Sequence, residues 1–127
     1  MMTAKIILSN NPLVIKEPNE YQVEAVCGRE QEAVYSAALN LLQSGHKLLS
    51  APLPPNVPLM RAPYRSLVLE KSNRQYDPEG ILAVEKARER VGVVGVGAYT
   101  EKQALDAAFI DQELLKRTIR ECGSGNN

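Results

Sequence analysis

The chain has 127 residues, 15 basic and 15 acidic side chains, no net charge, and a hydrophobic content of 44%. That length suits one domain with a core of its own, so folding needs neither a metal nor a disulfide. The balanced charge argues against broad attraction to nucleic acid or a membrane surface, and the apolar content excludes a disordered chain.

Residues 4–8 (AKIIL) form a short aliphatic run that reads as a buried strand, followed by a turn at SNNP. Asn11 suits an N-cap and Pro12 the first helical position, which predicts one or two helical turns over residues 12–17, stopped by Pro18. YQVEAV (residues 21–26) alternates apolar and polar positions, the pattern of a half-exposed strand at a sheet edge. Gly28 then opens a helix whose core face is Val34, Ala37, Ala38, Leu41 and Leu42, closed by Gly45 in a left-handed cap. KLLS (residues 47–50) is a second buried strand. APLPPNVPLMRAP (residues 51–63) is rich in proline, which fixes φ and removes donors, so an extended loop without a helix is expected. RSLVLEK (residues 65–71) reads as a strand of open direction. Asp77-Pro78-Glu79 supplies a cap, a first-position proline and a first-turn acid for a helix to about Val91, stopped by Gly92. TEKQ (residues 100–103) fits a capping box, and the last helix is expected from Glu101 to about Glu121, ended by Gly123.

This order predicts an α/β fold over residues 1–122 and a flexible tail over residues 123–127. The expected architecture is a two-layer or three-layer sandwich of about four mostly parallel strands with flanking helices. Strands 4–8 and 47–50 are expected side by side and parallel, so that Asn10, Asn11 and Ser50 emerge on one carboxyl edge. His46, the only histidine, then falls on the opposite edge, about 15 Å away at roughly 3.3 Å per residue. It reads as a structural residue at a helix exit.

Open α/β sheets bind ligands at the carboxyl edge. Asn10, Asn11, Ser50, Arg61 and Arg65 are therefore the candidate ligand residues. Asn side chains both donate and accept, guanidinium matches carboxylate or phosphate, and a helix beginning at Pro12 offers backbone N–H groups. On this reading Asn10→Ala abolishes binding of an anionic metabolite and leaves Tm nearly unchanged. The simpler reading makes the same residues a turn cap, a strand end and solvated cations.

VGVVGVGAYT (residues 91–100) matches neither G-x-G-x-x-G nor G-x-x-x-x-G-K-[ST], and it follows a helix instead of a strand. It reads as a connector or weak apolar strand whose valines, if exposed, suit a dimer interface. Glu30, Glu32, Glu85, Glu89, Asp111 and Glu113 read as solvated helix faces. Cys27 and Cys122 with one histidine cannot fill an ordinary structural zinc site, and they read as reduced thiols. No metal or other cofactor is expected. The N-terminal apolar run is too short for a signal segment or a membrane span, so the protein reads as cytoplasmic.

ILSNNPLV (residues 7–14), SGHKLLSAPLPPNV (residues 44–57) and APYRSLVL (residues 62–69) together resemble the GrdX family. These are small proteins encoded beside the glycine, sarcosine and betaine reductase components of anaerobic bacteria. The resemblance covers about the first 70 residues of the chain. It implies a cytoplasmic accessory of a selenium- and thiol-dependent reductase pathway, with the reductase components as partners. It implies no catalytic residues, and none are carried over. Two functions follow: an accessory acting by protein contact, as a homo-oligomer, or a small-molecule domain or enzyme with an anion at the carboxyl edge.

Overall fold

The two aliphatic runs become the inner strands of one sheet. The computed structural model describes residues 5–72 and 77–124. Strand β1 (Lys5–Ser9) pairs antiparallel with β4 (Ser66–Lys71), through the register Ile7↔Val68. β2 (Gln22–Ala25) lies parallel to β1 on one border, and β3 (His46–Leu48) lies antiparallel to β4 on the other. The order is β2-β1-β4-β3.

The sheet is therefore mixed, not mostly parallel. Apolar periodicity marks a strand but carries no direction, and here β4 inserts between β1 and β3. Those two strands do run the same way, but they are not neighbours.

Alternation sends successive side chains to opposite faces. Leu8, Leu67 and Leu69 meet α2 (Gln31–Gln43) and α4 (Pro78–Val94) through Val34, Tyr35 and Val84. Ile7 and Val68 meet α1 (Pro12–Lys16) and α5 (Glu101–Ser124) through Val14 and Leu115. Helices thus cover both faces, which gives three layers. Each fully buried aliphatic side chain contributes about 1.5–3 kcal/mol by leaving water.

The helix starts follow their caps. Asn11 accepts from Leu13 N at 3.0 Å. Asp77 accepts from Gly80 N at 3.0 Å, and its other oxygen accepts from Leu48 N of border strand β3 at 3.2 Å. Thr100 and Gln103 cap each other reciprocally, at 3.0 and 3.1 Å.

Several boundaries differ from expectation: α2 begins at Gln31 and not at Gly28, and β3 spans His46–Leu48 and not residues 47–50. α4 runs through Gly92 and ends at Gly95, whose φ of 81° lies in the left-handed region. A glycine inside a helix costs only about 1 kcal/mol, too little by itself to end one whose preceding turns pack through Val84, Ala87 and Val91. The proline-rich stretch contains a helical turn, α3 (Val57–Met60), because Asn56 caps Leu59 N at 3.1 Å and Pro58 sits where no N–H is needed. α5 continues to Ser124, past the expected stop, and the tail over residues 125–127 lies outside the described residues. Among the described residues no helix is long and apolar enough to cross a membrane.

Candidate functional site

The carboxyl ends of β1 and β3 and the amino end of β4 share one rim, as Ser9↔Ser66 and the bond from Val68 N to Ser50 Oγ (3.0 Å) require. The proline-rich loop closes over it. Prolines donate nothing, so the carbonyls of that loop must find donors on side chains.

Arg65 supplies two: Nε donates to Pro52 O at 3.0 Å and Nη2 to Ala51 O at 2.6 Å. The Tyr35 hydroxyl donates to Pro52 O at 2.8 Å. Gln31 Nε2 donates to Leu59 O at 2.6 Å and Ala62 O at 2.9 Å. Asn10 Nδ2 donates to Pro63 O at 2.8 Å, while its Oδ1 accepts from Arg65 N at 2.9 Å. Burial pushes the Tyr35 phenol up to about 12, against the opposing pull of the Arg65 charge.

A second network ties the rim to α5. Asp111 accepts from Ser66 N at 3.0 Å, from Ser66 Oγ at 2.6 Å and from Asn11 Nδ2 at 2.9 Å. A carboxylate only accepts, so Ser66 donates to Asp111 and the Ser9 hydroxyl donates to Ser66 (2.8 Å). Asn11 N in turn donates to Ser9 Oγ at 2.9 Å. The chain of donors runs one way, from the β1 exit into α5.

These bonds give Asn10 and Asn11 partners inside the protein. Both side chains hold the protein's own backbone, and among the described residues no buried side-chain polar atom lacks a partner. The first N–H groups of α1 are also taken by Asn11, so no anion cradle forms there. Arg61 is exposed at the end of α3 and lines a separate concavity of about 570 Å³ with Tyr99, Gln103 and Asp106. Ser50 and Arg65 do come together, in a rim groove of about 210 Å³ that Arg117 and Thr118 of α5 complete. Two of the five expected residues therefore share a concavity.

His46 lies at the other end of the sheet, paired with Lys71. Its Nδ1 is 3.0 Å from Leu41 O, so the Nδ1–H form donates to a carbonyl of the last turn of α2. The expected structural role at a helix exit holds.

A family model for GrdX-like proteins matches residues 6–120. The chain belongs to the GrdX-like family. The match runs well past the first 70 residues that carry the resemblance, through α4 and into α5, so the C-terminal helices are part of the family's pattern. No curated protein and no solved structure matches the chain.

In this GrdX-like chain the residue that sequence reasoning missed is Asp111, assigned to a solvated face but only 5% exposed. A signal for it exists. Ala104, Ala108, Asp111 and Leu115 follow helical spacing, which puts the acid on the buried stripe and demands partners for it. Burial raises the pKa of Cys122, with Lys5 opposing, which disfavours its thiolate at neutral pH.

Proposed function

We propose that this chain is a non-enzymatic cytoplasmic accessory protein that acts by binding other proteins. Its partners on this reading are components of glycine, sarcosine or betaine reductase, and it also associates with itself. Membership of the GrdX-like family supports the choice of partner.

One observation carries the protein-contact reading. Leu105 and Phe109 are 49% and 51% exposed at i,i+4 spacing on the outer side of α5. Phe109 is the only phenylalanine of the chain. The rings of Tyr35 and Tyr64 are buried while that of Phe109 is half exposed, so it forgoes part of the about 1.5–3 kcal/mol that full burial contributes. The stripe continues through Gln112 and Lys116, which reach Glu17 at 3.1 and 4.0 Å and fix α5 against the end of α1. Val93, 77% exposed, and Val96 form a second apolar patch where α4 ends, and this patch is assigned to self-association.

The test is affinity capture from the native host with the tagged chain and its Leu105→Ser/Phe109→Ser variant. Reductase components retained by the unaltered chain and lost with the variant support the reading. Capture that brings down no reductase component overturns the partner assignment. Light scattering over a concentration series checks self-association, which Val93→Ser is expected to weaken.

A further inference from the structure

We propose that the rim groove between the proline-rich loop and α5 binds a small organic oxyanion, held by Arg65 and Arg117. This goes beyond the protein-contact reading and does not depend on it. The groove's polar lining is Ser50, Arg65, Arg117 and Thr118, with Leu53 and Leu114 among its apolar walls. Among the described residues no acidic side chain lines it. Other concavities carry mixed charges: Arg61 shares one with Asp106, and the adjoining concavity of about 450 Å³, which shares Ser50, Ala51 and Thr118 with the groove, holds Lys5, Glu70 and Glu121. In a chain of zero net charge, two cations facing one groove without an acid are a built-in imbalance.

Arg65 is 6% exposed, so its charge is largely shielded from water. Its hydrogen bonds to Ala51 O and Pro52 O fix the guanidinium plane but supply no counter-charge. Among the described residues no carboxylate lies within 4.0 Å of Arg65 or Arg117. Asp111 stands behind Ser66 and spends its oxygens on Ser66 and Asn11. Arg65 and Asp111 share only a void of about 10 Å³, room for at most a single water. An anion in the groove adds the direct contact that Asp111, farther than 4.0 Å away, does not make, because a guanidinium binds an oxyanion through charge-assisted bonds. Ser50 adds a donor. Its oxygen already accepts from Val68 N, which leaves its proton for a ligand.

Size and walls narrow the class. The groove's volume of about 210 Å³ falls below the ~300–1,000 Å³ of drug-sized pockets, which fits a short-chain carboxylate or phosphate monoester, not a nucleotide. The leucine and proline walls favour a ligand with a short hydrocarbon part over a bare ion.

The test is an NMR titration of the full chain with butyrate, acetate and inorganic phosphate, against chloride at matched ionic strength. Saturable shifts confined to the amides of Ser50, Ser66 and Thr118 are expected, stronger for butyrate than for acetate. A phosphate response without a carboxylate response assigns the ligand to the phosphate class. Arg117→Gln, an exposed substitution that leaves the fold intact, is expected to weaken binding at least about tenfold. The proposal fails if no probe shifts these amides at millimolar concentration, or if the shifts are equal in Arg117→Gln. Because Leu105 and Phe109 are absent from the groove lining, failure here leaves the capture experiment unaffected, and the reverse holds.

Discussion

Helix α5 carries two unlike faces, each with residues that break the usual division of labour. Its inner side holds the buried acid Asp111, which joins Ser66 and Asn11. Its outer side holds Leu105 and Phe109 in water. The polar residues inside have an internal explanation, since the rim needs acceptors for its serine and asparagine donors. Among the described residues nothing covers the apolar ones outside. Burial and partners, more than residue type, separate what holds this fold from what is left over for function.

The contrast can be broken most forcefully at Asp111. Asp111→Ala removes the acceptor of three buried hydrogen bonds and is expected to cost about 3 kcal/mol or more, read by urea unfolding. A cost below 1 kcal/mol, about that of one ordinary hydrogen bond, would mean that the inner network is not structural.

Alkaline pH gives the next largest effect. Unfolded tyrosine ionises near its ordinary value of 10.0, whereas buried Tyr35 holds its proton to about 12. The unfolded chain thus loses this proton first, and stability falls as pH rises from 10 to 12. The fall from this group approaches about 2–3 kcal/mol. Tyr35→Phe should flatten that fall in denaturation measured across the window, at a loss of about 1 kcal/mol at neutral pH.

Asn10→Ala is expected to cost about 2 kcal/mol and lower Tm by roughly 6–10 °C, because the carbonyl of Pro63 and the N–H of Arg65 both lose their partner. This reverses the sequence-based expectation of an unchanged Tm, and calorimetry decides between them. The smallest effect belongs to the outer face. Phe109→Ser should change stability by no more than about 0.5 kcal/mol while abolishing partner capture. A large loss of stability there would assign the ring to the fold and remove the main support for the interaction reading.

Much of the fold is legible along the chain, because local chemistry fixes it. Asn11-Pro12, Asp77-Pro78 and Thr100–Gln103 start helices where their side chains meet free N–H groups, and Gly45 turns the chain with a φ of 100°. Strand direction was not legible. Whether RSLVLEK returns parallel or antiparallel depends on where a long connector lands, and the residues of the strand do not encode that. Asn56 went unread as a cap because the surrounding prolines suggested extension alone. The rim was legible as a place but not as a role. The internal partners of Asn10 and Asn11, the donor-poor loop and the buried carboxylate of α5, come from distant parts of the chain and cannot be read locally.

The bond from Leu48 N to Asp77 has a consequence for assembly. A border strand with open N–H groups invites another chain to add itself, which is how ordered aggregates grow. The carboxylate that begins α4 occupies one such donor on the three-residue strand β3, so this border is guarded against accretion. Copies that associate are thus steered to helical surfaces or to the opposite border at β2. Replacing Asp77 would loosen a helix start and uncover a template for aggregation in one step.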